Sequence, residues 1–323
     1  MYRIGIDLGG TNIVAGVVND NHEIISRAKC KTRLPRPAEE ILADMAEMAR
    51  QAAKEAGLSM EDIEYVGVGC PGTCNGDTGV VEYSNNLRFE NVALRDDLSK
   101  LTGKPVYIEN DANAAALGEA VAGAAKGAQS CVCITLGTGV GSGIIINGKI
   151  YGGFNFAGAE LGHTVIMVDG EPCTCGRCGC WEAYASATAL IRQTRRAMEA
   201  HKDSAMWQIA GSLDKVDGRT AFDAMRAGDA VGKAVVDQYI AYIATGLINV
   251  INIFQPEVMC IGGGICKEGD ALLIPLQEHI RRERYSKFSS HQTRLCVATL
   301  GNDAGVIGAA FLGDAAAYSN GGK

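Results

Sequence analysis

The densest chemistry in the chain lies between Glu160 and Glu182, where E-L-G-H is followed, nine residues later, by C-T-C-G-R-C-G-C-W-E. Four of the 12 cysteines fall between Cys173 and Cys180, and His163 stands ten residues ahead of the first. Thiolate sulfur and imidazole nitrogen are the donors zinc prefers, and short Cys spacing lets several sulfurs converge on one ion. Gly176 and Gly179 supply the backbone freedom such a tight loop needs. A disulfide knot would demand an oxidising compartment instead. The other eight cysteines (30, 70, 74, 131, 133, 260, 266 and 296) sit mostly in apolar runs, as reduced core thiols do. A cytoplasmic chain holding zinc is therefore expected.

Three further stretches carry polar groups where a ligand would want them. Asp7 is followed by Gly9-Gly10-Thr11-Asn12, and a second turn holds Gly137-Thr138-Gly139. Backbone N–H groups in such turns converge on an anion, a phosphate above all. A carboxylate at Asp7 beside that phosphate is useful where it holds a cation such as Mg²⁺. Read alone, each turn also fits a plain hairpin. Gly262-Gly263-Gly264 follow an apolar run and would let a flat base or ribose approach the backbone, or simply form a tight turn. Asp111 falls where a short apolar run meets an alanine-rich helix. It is read either as a cap or as a proton acceptor, kept ionised by the helix N-terminus.

The elements that must position these groups follow from periodicity. Residues 2–8, 13–18, 63–70, 105–108, 258–265 and 295–300 read as strands. Residues 38–56, 181–200, 231–254 and 302–317 read as helices, as does the stretch after Asp111, with shorter helices over 203–230. The opening hairpin recurs at an offset of 128: Ile6, Leu8, Gly9, Val18 and Asn19 match Ile134, Leu136, Gly137, Ile146 and Asn147. Two related α/β domains facing each other across a cleft are expected. The boundaries read from this are 1–118 plus a closing helix over 303–323 for the smaller domain, and 119–302 for the larger.

The net charge of −7 argues against a nucleic-acid partner, whose phosphates need a basic face. Lys233, Asp237 and Gln238 inside the apolar stretch 231–254 mark it as a buried helix and not a membrane span.

Taken together, D-L-G-G-T-N at 7–12, E-N-D-A-N-A-A-A at 109–116, L-G-T-G-V-G-S-G at 136–143, E-L-G-H at 160–163 and C-x-C-G-x-x-G-C-W-E at 173–182 resemble the ROK family of sugar kinases and repressors over nearly the whole chain. The resemblance implies the actin-like, ribonuclease-H-like ATPase fold. It implies ATP-dependent phosphorylation of a hexose, with glucose first and N-acetylmannosamine, fructose or allose as alternatives. It makes Asp111 the general base, Asn86, Asn110, Asp111, Glu160, His163 and Glu182 the sugar contacts, and the turns at 9–12, 137–139 and 262–264 the ATP–Mg²⁺ contacts with Asp7. It also selects His163, Cys173, Cys175 and Cys180 as ligands of a structural zinc, leaving Cys178 spare. A homodimer or homotetramer is implied as well. Repressors of the family carry a DNA-binding segment ahead of the kinase-like part, and a first strand starting at residue 2 leaves no room for one.

Overall fold

The computed structural model describes residues 1–314. In chain order the first part holds β1 (Tyr2–Leu8), β2 (Asn12–Asn19), β3 (Ile24–Lys31), α1 (Ala38–Glu55), β4 (Ile63–Cys70), β5 (Thr73–Asn75), β6 (Val80–Ser84), β7 (Phe89–Val92), α2 (Leu94–Thr102), β8 (Val106–Asn110) and α3 (Asp111–Val121). There follow β9 (Cys131–Leu136), β10 (Val140–Ile146), β11 (Lys149–Ile150), α4 (Glu182–Ala185), α5 (Ala187–Ala200), α6 (Met206–Ala210), α7 (Thr220–Arg226), α8 (Ala230–Phe254), β12 (Val258–Gly262), α9 (Asp270–Glu283), β13 (Arg294–Val297) and α10 (Ala304–Ala310).

The repeat seen in the sequence is a repeat of topology. One sheet has the order β3-β2-β1-β4-β8 and the other β11-β10-β9-β12-β13, so each copy places its hairpin and crossover strands in the same order. In the first sheet β1 runs antiparallel to β2 and parallel to β4. A small third sheet, β5-β6-β7, has no counterpart among the strands expected from the sequence.

The chain divides into two compact units. One comprises Met1–Cys133, Ser142–Ala159 and the chain from Ala298, the other Ile134–Gly141 and Glu160–Val297. The core of the first is the apolar face of its sheet, with Ile4, Ile6, Ile13, Val66 and Val68 packed against Met45 and Ala49 of the amphipathic α1. On the other face α10 lies directly on β1 and β4. A Cβ at Gly5 would sit 1.8 Å from the Val306 carbonyl oxygen, and one at Gly67 1.8 Å from that of Ala309. Only glycine admits so close an approach of helix backbone to strand. The closing helix is ordered as Ala304–Ala310, shorter than expected, and the rest of that expectation, from residue 315, lies outside the described residues.

In the second unit α8 spans 25 residues, with Ile243, Leu247 and Ile251 buried. By length and composition alone it passes for a membrane span, but its buried side packs on the unit's own core. Gly246 on this helix faces the ring of Trp181, where a Cβ would be 2.0 Å from the indole, and Trp181 Nε1 donates to the Tyr242 carbonyl at 2.9 Å. Trp181 is fully buried, so it anchors the residues on either side of it, Cys180 and Glu182.

Candidate active site and metal centre

In the first unit Asp111 opens α3, and the two residues before it prepare its position. Asn110 is the N-cap: its Oδ1 accepts from the Ala112 and Asn113 N–H groups at 2.9 and 3.2 Å, while its Nδ2 donates to the Gly72 carbonyl at 3.1 Å. Capping of this kind satisfies amides that the first helical turn leaves without partners. Glu109 is buried, and its Oε1 accepts from Asn110 N–H at 2.8 Å and Asn113 Nδ2 at 3.1 Å. Burial pushes the Glu109 carboxyl up, against those two donors. Asp111 itself accepts from the Ala112 N–H at 2.9 Å. Its pKa is nevertheless raised, because burial outweighs that donor. The expectation that the helix N-terminus dominates is corrected: the charged form is disfavoured, which makes this carboxylate a stronger proton acceptor.

Asp7 faces the same neighbourhood. Its carboxyl lies against Gly305 of α10, where a Cβ would be 3.1 Å from Cγ. Burial, then the charge of Asp111, raise Asp7 from its ordinary 3.8 to about 6. The folded state therefore holds a proton that the unfolded chain releases, so this group's contribution falls as pH climbs from about 4 to 6 and stays low above that. Asp7→Asn is expected to stabilise the ligand-free protein at pH 7 by up to about 3 kcal/mol and to flatten its stability profile between pH 4 and 6. Urea denaturation across that range checks it; an unchanged profile would show that Asp7 is not strained.

The first glycine turn is braced from one side. Gly9 N–H donates to the Asn12 carbonyl at 2.9 Å, Thr32 N–H to the Thr11 carbonyl at 3.0 Å, and Thr32 Oγ1 to the Gly9 carbonyl at 2.6 Å. The amides of Gly10 and Thr11 have no partner among the described residues, and both residues are exposed. The second turn, in the other unit, repeats the pattern. Gly137 N–H donates to the Gly139 carbonyl at 3.0 Å, the amides of Thr138 and Gly139 have no partner among the described residues, and a Cβ at Gly137 would meet nothing within 4 Å. Two open nests of backbone N–H are the geometry that receives phosphate oxygens. Of the third glycine group, Gly262 ends β12 and Gly263 has a φ of 100°, its Cα facing Leu136, where a Cβ would be 2.1 Å from the carbonyl oxygen. Gly263 is thus needed for strand packing, while Gly264 borders open space.

The second unit also carries the cysteine loop. His163 ends a 3₁₀ turn, Leu161–His163, that Glu160 introduces. Its Nδ1 lies 3.6 Å from Cys173 Sγ, and Cys175 Sγ lies 3.6 Å from Cys180 Sγ. The ligand atoms of His163, Cys173, Cys175 and Cys180 all fall within 4.8 Å of one another. Sulfurs 3.6 Å apart are not disulfide-bonded, whereas two thiolates on one tetrahedral zinc are about 3.7 Å apart. Gly176 and Gly179, at φ 91° and 82°, make the loop's reversals, and Cys173 N–H donates to the Arg177 carbonyl at 2.8 Å. Cys178 is exposed and outside this cluster. Cys178→Ser is accordingly expected to leave metal content, measured by atomic emission, at one ion per chain; loss of metal would make Cys178 a ligand.

Glu182 begins α4 behind the loop. One carboxylate oxygen, Oε2, accepts from the Val140 N–H at 3.0 Å, and the other, Oε1, accepts from Thr174 Oγ1 at 3.4 Å and lies 3.7 Å from Cys173 Sγ. Asn86, in the exposed turn between β6 and β7, makes no such contact among the described residues. The structure thus gathers the metal set and Glu182 in one unit, and Asp7, Asn110 and Asp111 in the other. The contact of Glu182 with Val140 had no sign in the sequence.

The ROK family model matches residues 3–316 of this chain. Among curated relatives, the chain is 38% identical over 310 residues to the glucokinase of Thermotoga maritima, covering 96% of each protein. Among solved structures it is similar to a ROK family glucokinase from Streptomyces griseus in complex with glucose and AMPPNP (TM-score 0.78, 36% identity, 97% of this chain and 99% of that one). It is likewise similar to the ROK hexokinase of Thermus thermophilus (TM-score 0.80, 35% identity, 96% and 97%). The duplicated sheets are those of the actin-like sugar kinase fold, and the chain belongs to the ROK family.

Proposed function

We propose that this protein is a glucokinase, transferring the γ-phosphoryl group of ATP to the 6-hydroxyl of glucose. The observation that carries the chemistry is the setting of Asp111: half-buried, placed by a capped helix terminus, and with a pKa raised by desolvation that suits it to taking the hydroxyl proton. Phosphoryl transfer needs little more than this, together with positioning and charge neutralisation. The open amides of Gly10, Thr11, Thr138 and Gly139 are suited to phosphate oxygens, with Gly9, Asn12, Gly137 and the Gly262–Gly264 segment completing the nucleotide contacts. Asp7 would hold Mg²⁺, which neutralises phosphate charge when bound. The family resemblance supports Asn86, Asn110, Asp111, Glu160, His163 and Glu182 as the hydroxyl contacts.

The donor set of His163, Cys173, Cys175 and Cys180 fits zinc, and four protein ligands leave no open position for a reacting water, so the metal's role is structural. Its four ligands would hold the segment from Glu160 to Glu182 rigid. The family resemblance further supports a homodimer or homotetramer working in the cytoplasm, at the entry of glucose into glycolysis. The test is direct. Incubation with glucose, ATP and Mg²⁺, followed by ³¹P NMR, is expected to yield glucose 6-phosphate and ADP. Absence of that product, or its formation from polyphosphate alone, would overturn the assignment.

A further inference from the structure

We propose that Glu182 is a positioning residue for the nucleotide as well as a sugar contact: it braces the second glycine turn from behind and ties that turn to the cysteine loop. The inference rests on the reading that Gly137–Gly139 receives phosphate.

The geometry is specific to one peptide. Val140 is the residue at which the turn becomes β10, and both halves of the sugar motif touch it. Glu182 Oε2 accepts its N–H at 3.0 Å. Gly162 of the E-L-G-H turn lies against its carbonyl, where a Cβ would be 2.2 Å from the oxygen. The same Oε2 presses on the turn itself: a Cβ at Gly139 would fall 2.3 Å from it, so the turn follows the carboxylate closely. The segment that begins with Glu182 then holds the turn's carbonyls. Ala187 N–H donates to Gly137 O at 2.8 Å, and Thr188 Oγ1 to Thr138 O at 2.9 Å. With the carbonyls of Gly137 and Thr138 and the N–H of Val140 all held from this side, the Thr138 and Gly139 amides are left to face a ligand.

The remaining oxygen, Oε1, meets Thr174 and Cys173 of the loop. One carboxylate therefore spans the cysteine loop and the phosphate turn, two parts of the chain that no sequence period relates. A carboxylate accepting a buried backbone N–H gives a charge-assisted bond, and removing it leaves that N–H without a partner.

Equilibrium binding of Mg²⁺–AMPPNP in the absence of sugar isolates this role, because a residue that served only the sugar would not move it. Glu182→Ala is expected to raise the nucleotide Kd about tenfold. Glu182→Gln keeps an acceptor for Val140 N–H and is expected to stay within about threefold of the parent while still losing glucose affinity. Thr188→Val, at an exposed position away from the carboxylate, removes one brace and is expected to raise the nucleotide Kd about threefold without changing the KM for glucose. An unchanged nucleotide Kd in Glu182→Ala and Thr188→Val overturns the proposal, leaving Glu182 a sugar contact alone. Gly137→Val, which enters open space, separates the underlying reading. If it leaves nucleotide binding intact, the turn is not a phosphate site and the proposal falls with that reading; if it abolishes binding while Glu182→Ala does not, only the brace is refuted.

Discussion

Asp111→Ala is expected to lower kcat for glucose phosphorylation by about 10²–10⁴-fold, the range a positioned general base supplies. The fold should survive the change. Asn110, not Asp111, provides the double cap of α3, and the Asp111 carboxyl is held against its own desolvation. Removing it is expected to leave Tm unchanged or slightly higher, so that activity and stability move in opposite directions. Coupled ADP release together with a thermal melt reads both. Retention of most of the activity would remove Asp111 from the proton transfer.

The second large effect concerns the metal centre. Cys175 is exposed, so Cys175→Ser costs no core packing, and whatever stability is lost belongs to the metal. Loss of a structural zinc ligand is expected to lower Tm by at least about 5 °C and to raise the KM for glucose about 10–100-fold, since Glu160, His163 and Glu182 lose their fixed geometry. The neighbouring Cys178→Ser is the internal control, because it differs in sequence by three positions and in the structure by lying outside the cluster. Equal effects of the two substitutions would show that the four-residue cluster is not the binding set.

What could be read from the chain beforehand was what depends on local pattern. The 3.6-residue periodicity of residues 38–55 produced α1 with Ile41, Met45 and Ala49 buried, and the β-branched runs produced β1 and β4 at the expected bounds. The offset repeat became two sheets of matching order, because equivalent hairpins seed equivalent pairings. What escaped was decided by longer-range contacts or by weak pattern. The strand Ile24–Lys31 carries I-I-S-R-A-K-C-K with only Ala28 buried, too little apolar alternation to stand out. The helix expected over 181–200 is broken at Ser186, which leaves helical geometry (ψ 160°) and caps α5 by accepting from Ala189 N–H. A serine ahead of A-T-A-L was the available sign. That break frees Ala187 N–H to reach the Gly137 carbonyl. Likewise the closeness of Leu136, which requires glycine at 263 for packing alone, had no sign in the local sequence. The direction of the Asp111 shift was misjudged because the helix terminus was visible in the sequence and the depth of burial was not.

The central claim is that the protein phosphorylates glucose at the expense of ATP, with Asp111 taking the proton of the reacting hydroxyl. Its most direct test is kcat/KM by coupled ADP release across glucose, mannose, fructose, allose and N-acetylmannosamine, run in parallel on the parent protein and Asp111→Ala. The account predicts that glucose is turned over with the highest kcat/KM and that the variant loses about 10²–10⁴-fold on every sugar the parent turns over. Rapid phosphorylation of N-acetylmannosamine with no turnover of glucose would contradict it.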